Sequence, residues 1–164
     1  MKGSRIISLQ VVVVALLCLF IVSLEYLSQF IVHIFLSENR IPGFVNILFL
    51  AMIIIFYYLF MRLELLKEHS IFNRIPWKAF IAVMILSFFF FSLLFMTTFT
   101  FLVELSFEFR WILYVVGSAF LLLIFLSVLA SVQLFLTNQH LTRKALDLTL
   151  LWSIGIFILI FYIL

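Results

Sequence analysis

Charge is what this chain has least of. Only 10% of its 164 residues are charged, against 68% hydrophobic. A soluble domain usually carries about a quarter charged residues, so an ordinary water-facing globule is excluded. Cysteine occurs once, at Cys18, which rules out an intrachain disulfide or a redox pair and leaves a small apolar residue in a helix. Aspartate also occurs once, at Asp147, so a membrane protease built on an aspartate dyad is excluded. The sequence holds no HExxH, no Cys–His cluster, no GxSxG, no Walker loop and no GxxxG. Enzymatic activity, a metal and a cofactor are therefore not expected. The net charge of +3 points to membrane-surface anchoring rather than to nucleic acid.

The few charges fall in narrow bands. Between them lie charge-free runs at 6–24, 41–61, 79–103, 111–142 and 148–164. Each is close to the ~17–25 apolar residues that carry a helix across a bilayer. The pattern predicts an all-α polytopic bundle of five transmembrane helices, one domain over 1–164, with spans at about 6–35, 44–61, 79–103, 112–136 and 148–164. Pro42-Gly43 breaks the chain before the second span. Pro76 suits the first turn of the third, and Trp77 and Trp111 are placed as interfacial anchors. The first apolar run is longer than the ~7–15 residues of a signal-peptide core and reads as a retained span. The fifth is the shortest, at about 25 Å.

Basic residues set the orientation. With the N-terminus inside, Lys2, Arg5, Arg62, Lys67, Arg74, Lys78, Arg143 and Lys144 lie on the inner side, and only Arg40 and Arg110 lie outside. This asymmetry predicts an inner N-terminus and, after five spans, an outer C-terminus. Glu25, Glu38, Glu104 and Glu108 fall toward the outer half. Phenylalanine (23 residues) and isoleucine are favoured by AT-rich codons. That composition suggests a bacterial cytoplasmic membrane, with an organelle inner membrane as the alternative.

Few residues offer chemistry. Glu25, Gln29 and His33 recur every four residues and form one stripe of helix 1, a candidate proton or cation path. The loop Glu104–Arg110 sets Glu104 and Glu108 at the same outer end, as a candidate pore mouth or simply the wet edge of a turn. His69 and His140 share the inner side without clearly lying in spans, which does not make a haem pair. Gly117, Ser127 and Ser131 form a small-residue face on helix 4, suited to helix packing inside the fold or against a partner. The inner segments Arg62–Lys78 and Thr137–Asp147 form the one sizeable polar surface. The expected function is a non-catalytic membrane subunit or accessory protein of a larger membrane complex. Its partners would be lipid and other subunits or further copies. The alternative is a homo-oligomeric channel or proton- or cation-linked transporter using Glu25, Gln29 and His33.

Overall fold

A computed structural model describes the backbone of residues 2–35, 43–67, 70, 72, 75–108, 111–136 and 142–163. Side chains within these are described except at 2, 3, 25, 27–35, 43–47, 103, 105–108, 111, 113 and 160–163. Among the described residues there are five α-helices and no strand. They are α1 (Lys2–Phe35), α2 (Gly43–Leu65), α3 (Trp77–Glu108), α4 (Trp111–Phe135) and α5 (Arg143–Ile163).

Among the described residues, four of them contain segments long and apolar enough to cross a membrane: Ser4–Leu24, Leu48–Leu65, Trp77–Leu102 and Tyr114–Phe135. The chain is an all-α membrane protein. α5 carries Arg143, Lys144 and Asp147 in its first turn and a half, followed by an uncharged run to Ile163.

The helix ends follow local chemistry. Thr142 caps α5: its hydroxyl accepts the Ala145 amide at 3.2 Å and its carbonyl accepts that of Leu146 at 3.2 Å. Pro76 stands just before α3, one position earlier than a first-turn proline. Its carbonyl takes the first helical bond, from the Phe80 amide at 3.0 Å. α2 closes with two tighter bonds, Leu66 to Leu63 and Lys67 to Glu64, which spend its last carbonyls inside the chain.

Two expectations need correction here. α3 does not stop at Val103. It runs on to Glu108, so most of the expected loop Glu104–Arg110 is helix. No glycine or proline interrupts residues 77–108, and nothing ends a helix merely because it leaves the hydrocarbon. Trp77, expected at the headgroups, is only 5% exposed. Phe72, from the preceding connection, stacks on it at 6.4 Å, and Phe80 meets it edge-on at 5.6 Å.

α2 and α4 lie at the centre. α1 and α5 each pack on both of them, while α3 packs on the far side of α4. The buried face of α2 runs through Phe49, Ile53, Tyr57, Met61 and Glu64; that of α4 runs through Leu121, Phe125, Leu129 and Gln133. On α5 the fully buried positions include Ala145, Thr149 and Ser153, spaced four apart. Their small side chains let the α5 backbone approach its neighbours closely, which is how helices attract one another in lipid. α3 is held differently, by rings. Phe120 of α4 meets Phe88, Phe91 and Phe95 edge-on at 5.2, 5.1 and 6.3 Å.

Phe125, 1% exposed and touching Tyr57, fills the centre of this packing, whereas Phe89 points away from it. Phe125→Ala should therefore destabilise the bundle by about 3 kcal/mol, the low end for such a deletion, since lipid rather than water is the competing surround. Phe89→Ala should leave the unfolding midpoint unchanged. Thermal or SDS unfolding in micelles measures both, and equal effects would contradict this packing.

Candidate functional site

Most of the buried polar side chains lie toward one end of the bundle, where α1, α3 and α5 begin and α2 and α4 finish; Ser118, near the start of α4, is the exception. Gln10 lies about two turns into α1. Its amide donates to Glu64 Oε2 of α2 at 2.8 Å. Lys67 reaches the same oxygen from one turn on, at 2.5 Å. Glu64 is only 4% exposed, while Lys67 keeps part of its side chain accessible. A carboxylate can stay charged in so dry a place only when donors surround it. The amide from α1 and the ammonium from the end of α2 provide two.

About two turns deeper, α2 makes a second polar link. Tyr58 donates to Asp147 Oδ1 of α5 at 2.5 Å. Arg143 Nε lies 3.9 Å from the other carboxylate oxygen, and the Arg62 guanidinium sits 6.0 Å from the Tyr58 ring centroid. Beside it, Tyr57 donates to the main-chain carbonyl of Ser118 on α4 at 2.6 Å. That carbonyl already belongs to a helix, so the phenol uses its second lone pair. The Ser118 hydroxyl turns back to Val115 at 2.8 Å. Three side chains of α2, at 57, 58 and 64, thus fasten it to α4, α5 and α1 in turn.

Between α4 and α5 lie further buried polar groups: Gln133, Thr149 and Ser153. Thr149 bonds back to the Ala145 carbonyl at 2.7 Å. Ser153 Oγ, Ser70 Oγ and Trp77 Nε1 reach no hydrogen-bond partner among the described residues. Among those residues no three His, Cys, Asp or Glu side chains come together as metal ligands.

Sequence reasoning missed this end. Gln10 and Gln133 are each a lone amide in a long apolar run, Tyr58 is one of many aromatics, and Glu64 reads as part of a water-facing surface; Asp147 does stay exposed, but its link to Tyr58 is not legible from spacing. The available signal was a glutamine in a span, since an amide in hydrocarbon needs a partner. The proposed path residues Glu25, Gln29 and His33 have their backbones in α1, but their side chains lie outside those described, as does that of Glu108. Glu104 is exposed near the end of α3. His69 and His140 also lie outside the described residues.

The small-residue face of α4 does not pack inside the fold. Gly117 is exposed, and a Cβ added there would meet nothing within 4 Å. Ser131 is exposed and Ser127 half-buried. The reason is register: α4 buries the face through Leu121, Phe125 and Leu129. Ser127 and Ser131 are left on its flank, each hydroxyl bonded to its own helix at 2.8 and 2.9 Å.

Set against family models, curated proteins and solved structures, the chain matches none of them.

The Gln10–Glu64 contact can be measured directly. Gln10→Leu strips a donor from a buried carboxylate, whereas Gln10→Leu with Glu64→Leu removes both partners and lets Lys67 turn to water. The single change should cost about 1–3 kcal/mol, and the double change should cost less than the sum of the two singles. Strict additivity in micelle unfolding would mean that the two side chains are not coupled.

Proposed function

We propose that this chain is a non-catalytic integral membrane subunit, an accessory or assembly partner within a larger membrane complex. The observation that carries this reading is the free face of α3. Four helices enclose a shared core, but α3 rests against α4 by its Phe88, Phe91 and Phe95 side. Its other side presents Leu86, Phe89, Leu93 and Met96, all exposed, at the three- and four-residue spacing of one helical stripe. Stiff aromatic and aliphatic side chains in that register suit a groove-forming partner helix. Gln10, Tyr57, Tyr58, Glu64 and Asp147 are engaged in joining helices, which fits a scaffold better than a site of turnover.

In this reading α5 is a fifth span. It packs along α2 and α4, and its charges stand at the end where Lys2, Arg5, Lys67 and Lys78 also lie. That end faces the cytoplasm by the positive-inside rule, and the C-terminus emerges on the other side. The membrane is the cytoplasmic membrane of a bacterium.

Two measurements test these statements. A photo-crosslinking residue at Phe89 should yield a discrete adduct with another polypeptide in native membranes. The same residue at Leu19, exposed on α1, should yield none of that mass. Lipid adducts alone at both positions would remove the support for a partner on α3. Native mass spectrometry then identifies the partner: another chain fits a hetero-subunit, while multiples of 19.3 kDa alone would favour the homo-oligomeric channel or transporter. For topology, Leu164→Cys in a Cys18→Ser background should react with an impermeant maleimide from outside intact cells. Labelling only after lysis would place the C-terminus inside and remove the fifth crossing.

A further inference from the structure

An open trough of about 520 Å³ runs between α4 and α5. Its walls are Val128 and Val132 on one side, Leu148 and Ile156 on the other, with Phe135 and Trp152 as rims. Phe135 is 84% exposed, so the trough is open to the surroundings of the bundle. Ser127 and Ser131 also line it. Because both hydroxyls are spent on their own helix, they present no hydrogen-bonding demand to an occupant. The trough therefore accepts hydrocarbon along its whole length. From Leu148 to Ile156 it extends about 12 Å, most of one leaflet of a ~30 Å core.

One end of the trough is charged. Lys144 lies one turn before Leu148, on the stripe that continues through Trp152 and Ile156. It is exposed and forms no ion pair among the described residues. Helical side chains lean toward the N-terminus, so the Lys144 ammonium is directed away from the apolar walls, toward the headgroups. Arg143 beside it stands 3.9 Å from Asp147, which also accepts from Tyr58. The local balance is positive, and the positive end of the α5 dipole adds to it.

We infer that this trough is a binding site for an anionic phospholipid of the leaflet in which α5 begins, with an acyl chain against Val128, Val132 and Leu148 and the phosphate at Lys144. Charge complementarity selects the headgroup, and the apolar walls accept its acyl chain. The site lies on a different face from the exposed stripe of α3, so it stands or falls independently of the subunit reading.

The test uses the whole purified chain in mild detergent, with added dioleoyl phosphatidylglycerol or dioleoyl phosphatidylcholine, and native mass spectrometry to count retained lipids. Phosphatidylglycerol should be retained several-fold better than phosphatidylcholine at equal concentration. Lys144→Gln, a change at an exposed position, should cut phosphatidylglycerol retention about five-fold, the effect of one basic residue at an anionic surface, and leave phosphatidylcholine unchanged. Ser131→Leu, which fills the trough, should reduce retention of both. Equal retention of the two lipids, or a Lys144→Gln variant that keeps its phosphatidylglycerol, would overturn the proposal. So would a co-purifying chain or second copy that Ser131→Leu displaces, since a helix would then be the occupant.

Discussion

Hydrocarbon offers no hydrogen bonds, and that constraint shapes this chain more than any single contact. A backbone in lipid must satisfy its own amides and carbonyls, which leaves long uninterrupted helices as the available solution for this chain. Proline is accordingly confined to Pro42 and Pro76. The same constraint governs the side chains. Ser23, Thr97, Thr98, Ser127, Ser131 and Thr149 all donate to a carbonyl three or four residues earlier in their own helix. Each hydroxyl is thereby made compatible with lipid without a partner helix, and none of these bonds ties the bundle together. The work of joining helices falls to the groups that cannot satisfy themselves locally: an amide, two carboxylates and two phenols.

Those groups matter because the usual driving force is missing. In water, burying Leu129 or Ile54 would stabilise a fold by removing apolar surface from solvent. In lipid the tails are as apolar as the leucine, so close packing and specific bonds must suffice. Both are found together at one end. The small side chains of Ala130, Ala145, Thr149 and Ser153 bring α4 and α5 close. The Glu64, Tyr58 and Tyr57 links then fix how α2 sits against α1, α5 and α4. α3 has neither device, only the aromatic cluster around Phe120, which explains why it is the outlying helix.

The helices themselves were legible from the sequence, because charge spacing reports directly on span length. Where the ends lay was less legible. Glu104 and Glu108 read as a loop, yet a helix of good formers does not sense the headgroup boundary, so α3 continued through them. The site was hardest. A charge pattern tells which side of the membrane a residue is on, but not whether it faces water or protein. Glu64 and Lys67 look alike in sequence, three residues apart in one polar band. Only the placement of Gln10, from a helix more than fifty residues away, turns Glu64 inward. Pairings of that range are set by packing between helices, which periodicity within one helix does not encode. Ser127-x-x-x-Ser131 shows the converse. The small pair is real, but the register of α4 turned it to a flank, because the larger Phe125 and Leu129 hold the centre.

The pairing of the acids bears on the charge at one end of the bundle. At the end of the bundle where α5 begins, Glu64 is sequestered with Gln10 and Lys67, and Asp147 is engaged by Tyr58 and Arg143. Arg5, Lys78 and Lys144 of the same end are exposed. At this end Glu64 is taken into protein contacts, while Arg5, Lys78 and Lys144 keep their side chains exposed. Paired acids interact over a few ångströms and contribute little to the far field, whereas each exposed cation near an anionic leaflet is attracted by roughly 1 kcal/mol. Each of these acids is paired with a cation, Glu64 with Lys67 and Asp147 with Arg143, so the net charge of that end stays that of the sequence. The Gln10–Glu64 contact that holds α2 to α1 is also the one that takes a carboxylate out of that surface.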